Sequence, residues 1–110
     1  MKFISENNVV VIHVAPEDAG SLVNSLLDQK EHWFGSNVIL DVSHLEFLVD
    51  NLVIMLRPTI HSHKDNANSF VVVDKVARLT QYQEFVTVAP TIQEAHDLIE
   101  MEQIERDLGF

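Results

Sequence analysis

The run His61-Ser62-His63-Lys64-Asp65 brings two imidazoles and a carboxylate together within five residues. Those are zinc-ligand types, and a catalytic zinc site needs three of them converging on one ion with a further position left open. Their spacing argues against convergence. On a helix, residues 61 and 63 point roughly 200° apart, so only His61 and Asp65, at i and i+4, share a face. A small metal-binding enzyme using His61, His63 and Asp65 is thus the alternative reading, and a solvated helix end is the preferred one. None of His13, His32, His44 and His96 has a nucleophile or a paired acid at a telling spacing. The three glycines, Gly20, Gly35 and Gly109, are scattered, so no loop is built to cradle phosphate. With no cysteine, thiolate metal sites and disulfides are excluded. The expectation is a chain without catalytic residues, metal or cofactor.

The elements that would position these residues follow from the hydrophobic pattern. Lys2 to Ser5 alternate, Glu6-Asn7-Asn8 forms a turn, and Val9 to Val14 make a second strand, since Asn tolerates the positive φ of a tight hairpin. Pro16-Glu17-Asp18 suits a helix N-terminus. Ala19, Leu22, Val23, Leu26, Leu27, Trp33 and Phe34 then recur at helical spacing, with Gly35 as a stop. Within that stripe Trp33 and Phe34 are expected in the core. Val38 to Val42 reads as an interior strand.

The stretch from there to Ser69 is too long for a bare loop and should hold a helix, with Asp50 and Asn51 at its start and Leu52 to Leu56 as its buried turns. Pro58 predicts a kink or break near Arg57. Ser69 to Asp74 is another strand, Lys75 to Gln81 a short helix, and Phe85 to Val88 a last strand. Thr91 and Glu94 have capping-box spacing, and Ile92, Ala95, Leu98, Ile99, Ile104 and Leu108 form the stripe of a final helix that Gly109 can close. The order β-β-α-β-α-β-α-β-α implies an α/β fold with a mixed, mostly parallel sheet of about five strands and four helices.

At 110 residues and 46% hydrophobic, the chain suits one domain spanning 1–110. Its apolar runs are far shorter than the roughly 20 residues of a membrane span, and its first residues lack the features of an export signal, so a cytoplasmic protein is expected. Seventeen acidic against seven basic residues give a net charge of −10, which disfavours direct contact with nucleic acid and favours a basic protein surface.

This order resembles the STAS domain of anti-sigma-factor antagonists over essentially the whole chain. The best local likeness is Val38-Ile39-Leu40-Asp41-Val42-Ser43-His44-Leu45-Glu46-Phe47-Leu48, which is similar to the family's Leu-Asp-Leu-Ser strand end and the apolar pair after it. In the family an Ile-Asp-Ser-Ser-Gly segment follows, and its phosphorylatable serine switches binding to an anti-sigma kinase. Here the segment is Leu48-Val49-Asp50-Asn51-Leu52, with Asp50 at the serine and Leu52 at the glycine. Asp50 has no hydroxyl to phosphorylate. It would act either as a plain helix N-cap or as an imitation of the modified state.

The resemblance thus implies a non-catalytic regulatory module that binds a protein partner through Ser43, His44, Leu48, Asp50 and Asn51. The C-terminal stretch from Pro90 to Phe110 also resembles small bacterial STAS-like proteins that often carry the label ribonuclease Z. That nuclease has a larger metallo-β-lactamase fold built on His-x-His-x-Asp-His, whereas residue 66 here is Asn. The label implies at most a relation to such a nuclease as its accessory partner.

Overall fold

The computed structural model describes residues 1–46, 52–79 and 86–109, with backbone alone at residues 19, 52–55 and 79. Strands β1 (Lys2–Glu6) and β2 (Val9–His13) form the opening hairpin, closed by Asn7 and Asn8 at φ 49° and 65°. Two consecutive left-handed residues make the turn whose twist matches paired strands, and asparagine accepts that conformation readily. Next come α1 (Leu22–Asp28), β3 (Asn37–Asp41), α2 (Leu52–Asp65), β4 (Phe70–Val73), α3 (Val76–Leu79), β5 (Thr87–Ala89) and α4 (Ile92–Asp107). The five strands lie in sequence order, with β1 antiparallel to β2 and every later pair parallel.

Alternation along the central strands sorts the core into two layers. Val38, Leu40, Phe70 and Val72 pack with Leu22, Leu26, Trp33, Leu56 and Ile60 beneath α1 and α2. Ile39, Val71 and Val73 face the other way, against Ala95 and Ile99 of α4. Every residue of β3 is buried, as a strand covered on both faces requires.

Three sequence expectations are corrected. The first helix is shorter: Pro16–Ser21 and Lys30–His32 are 3-10 turns flanking seven residues of α-helix. This breaks the phase of the stripe, so that Trp33 enters the core and donates Nε1–H to the Leu26 carbonyl at 2.9 Å, while Phe34 is exposed. Second, α2 runs through Pro58 without a break. Proline removes one hydrogen bond, to the carbonyl four residues back, but Leu56, Ile60 and His63 are buried on either side of it, so packing offsets the lost bond and the helix continues. Third, the α4 stripe is buried only in its first half: Ala95 and Ile99 are in the core, whereas Ile104 and Leu108 are exposed.

Candidate functional site

The parallel strands β2 and β3 end level with each other, His13 opposite Asp41 in the register. In open α/β sheets the carboxyl ends of the strands are where ligands and partners gather. At this end, His13 Nδ1 lies 3.0 Å from Asp41 Oδ2. His44, three residues beyond Asp41, brings its Nε2 to 3.7 Å from the same oxygen. The ligand atoms of His13, Asp41 and His44 all lie within 4.8 Å of one another.

Local hydrogen bonds fix this arrangement. Asp41 Oδ1 accepts from the Ser43 backbone amide at 3.0 Å and from the Ser43 hydroxyl at 2.6 Å, an Asx-type turn that sets the carboxylate plane. The Leu45 amide donates to the Val42 carbonyl at 3.1 Å, and buried Leu45 anchors the turn carrying Ser43 and His44. Burial would push the Asp41 carboxyl up, yet the Ser43 and His13 hydrogen bonds, with His44 nearby, hold it below the usual carboxylate value. Exposure grades outward, from 5% for the Asp41 side chain through 32% for His13 to 70% for His44.

Serine, aspartate and histidine meet here, but not as a nucleophilic relay. Such a relay needs the hydroxyl to donate to the imidazole and the carboxylate to orient that imidazole from behind. Here Ser43 and His13 both bond to Asp41, which sits between them.

One strand further along the same edge, buried Asp74 accepts from the Lys75 amide at 2.7 Å and from Arg78 Nε at 2.9 Å. Arg78 Nη2 also donates to the Val42 carbonyl at 3.1 Å, and Lys75 Nζ reaches the Leu45 carbonyl at 3.4 Å. Lys75, just before α3, and Arg78 within it thus tie the start of the β3–α2 connection to the end of β4.

Of the residues expected to bind a partner, Ser43 and His44 stand at this rim, flanking the Asp41 cluster. Leu48, Asp50 and Asn51 lie outside the described residues. The sequence spacing gave no hint of a pairing between His13 and Asp41, because 28 residues separate them and only the parallel register brings them together.

The His61–His63–Asp65 alternative is corrected by the geometry. His61 is 81% exposed and pairs with Asp65 at 3.5 Å. His63 is 3% exposed, points into the core against Trp33 and Phe70, and donates Nε2–H to the Ser36 carbonyl. Burial pushes the His63 imidazole below its ordinary value, with Lys30 acting in the same direction and the Ser36 bond opposing. The segment is therefore a solvated helix end at residue 61 and a core position at residue 63.

Comparison of the sequence with protein-family models gives no match, and comparison with curated proteins gives none either. Solved structures do match. The crystal structure of TM1081 from Thermotoga maritima, described there as a candidate anti-sigma factor antagonist, superposes with a TM-score of 0.65 at 17% identity, covering 90% of this chain and 93% of that one. The NMR structure of TM1081 gives 0.62 at 19% identity, covering 89% and 86%. The chain has a STAS-type fold. The five-stranded mixed sheet with four helices is the architecture that the STAS resemblance implied. Nothing in these comparisons supports the likeness to proteins labelled ribonuclease Z. Among the described residues, no helix is long and apolar enough to cross a membrane.

Proposed function

We propose that this protein is a non-catalytic regulatory module that binds a partner of the anti-sigma type through the connection from β3 to α2. The observation that carries this reading is the superposition, over nine-tenths of the chain, on a protein described as a candidate anti-sigma factor antagonist. The rim geometry is consistent with it, because Ser43 and the exposed His44 begin the segment that the family uses for docking. Leu48, Asp50 and Asn51 complete the proposed surface. With Asp50 aligned on the family's serine, residue 50 offers no hydroxyl, so the serine phosphorylation that switches the family does not operate there. An acidic chain of net charge −10 also suits a basic partner face.

The test is affinity capture from a lysate of the source cells at low salt, with the recovered protein identified by mass spectrometry. Asp50→Ala should reduce recovery of the partner, while Asp107→Ala, a charge change at the far end of the chain, should not. Equal recovery with both variants would place the docking surface elsewhere.

A further inference from the structure

We propose that His13, Asp41 and His44 form a binding site for one divalent transition-metal ion of the zinc class, at the carboxyl edge of β2 and β3. Two imidazole nitrogens and a carboxylate oxygen converge there. In a tetrahedral site with bonds of about 2.0–2.1 Å, ligand atoms sit about 3.3 Å apart. The separations from Asp41 Oδ2, 3.0 Å to His13 and 3.7 Å to His44, bracket that value. All three atoms already lie within 4.8 Å of one another, so a small rotation of the exposed His44 side chain closes the set.

A hydrogen-bonding explanation accounts for only part of this geometry. His13 makes a proper hydrogen bond to Asp41, but 3.7 Å is too long for one from His44, whose Nε2 stands near the same oxygen without bonding to it. The other carboxylate oxygen is fully engaged by the two Ser43 donors, which orient Oδ2 toward the imidazoles. Metal sites use the same kind of outer support, in which hydrogen bonds to a ligating carboxylate fix its direction. The turn closed by Leu45 and Val42 holds His44 in place, so two of the three ligands sit on one short, tied segment.

Ligand type selects the ion. Nitrogen donors and a single carboxylate suit zinc and its transition-metal neighbours, whereas magnesium and calcium take sites dominated by oxygen. Three protein ligands leave a fourth position for water or for a side chain from outside, and the graded exposure of the site opens that position to solvent. Binding is a property of the isolated chain and stands independently of the partner reading above.

The experiment is calorimetric titration of chelator-treated protein with zinc chloride, repeated with cobalt(II), whose visible spectrum reports tetrahedral nitrogen and oxygen ligation. One equivalent of zinc should bind. His44→Ala, at an exposed turn position, and His13→Gln should each lower affinity by more than about 10-fold, and Ser43→Ala by about 10-fold. His61→Ala should leave binding unchanged, which separates this site from the exposed His61–Asp65 pair. Absence of stoichiometric zinc, or stoichiometric binding insensitive to His44→Ala, would overturn the proposal. Circular dichroism confirms that each variant is folded, and should His13→Gln fail to fold, His44→Ala alone decides.

Discussion

An imidazole packed against Trp33 and Phe70 is favoured in its neutral form, because charging it there forfeits the hydration that a proton would demand. The His63 value is lowered in the folded chain, so as pH falls below about 6.5 the unfolded chain binds the proton first. The stability that His63 contributes is therefore present above that pH and is lost as the solution becomes more acidic. Urea unfolding should show a lower midpoint at pH 5.5 than at pH 7.5, and His63→Gln, which keeps a donor but does not titrate, should shrink that difference. An equal drop in both proteins would assign the acid sensitivity to other groups. The sequence did carry a signal for this placement. Residues 56, 60 and 63 fall on one helical stripe with apolar residues at the first two, but the neighbouring His61 and Asp65 drew the segment toward a surface reading. The meeting of His13 with Asp41 had no such signal, since the register of a parallel pair is set by tertiary packing.

Among the elements, strands were the most legible and helix extents the least. Four- or five-residue β-branched runs bounded by polar residues leave little freedom: β4 falls inside the stretch expected for it, and β3 is offset from its own by a single residue. The Asn7-Asn8 turn and the Thr91 cap, whose hydroxyl accepts from the Glu94 amide at 3.1 Å, were legible because each meets a specific local demand of the backbone. Helix stripes misled where apolar periodicity outran the surface available to cover it. The stripe of α4 continues to Leu108, yet the sheet beneath it ends, and only Ala95 and Ile99 are sealed. Scale can be put on that difference. Ile99→Ala should destabilise the chain by about 2–4 kcal/mol, through lost burial and the cavity left behind. Ile104→Ala should stay within about 0.5 kcal/mol, as surface changes do. Chemical denaturation of the two variants gives the comparison, and a similar cost at both positions would mean that Ile104 is covered in solution.

Over the whole molecule, the excess of acidic residues acts as a distributed self-repulsion. The Cα radius of gyration is 13.1 Å, while the Debye length is about 30 Å at 0.01 M salt and about 8 Å at 0.15 M. At the lower concentration a net charge of −10 therefore repels itself across the entire fold, and at the higher one mainly between near neighbours. Unfolding relieves the repulsion by spreading the charges, so added sodium chloride should stabilise the native chain. A rise of a few degrees in melting temperature between 10 and 150 mM is the expected calorimetric result, on the order of 1 kcal/mol for a domain of this size. Short-range pairs such as Arg78 with Asp74 and the Met1 amine with Asp18 act in the opposite sense, and a falling melting temperature would mean that they outweigh the net charge. Association with a basic partner should weaken over the same salt range. Opposite trends in folding and binding are the joint signature of one acidic surface acting against itself and toward a partner. Parallel trends would remove the electrostatic part of the proposed interaction while leaving the fold and the metal site untouched.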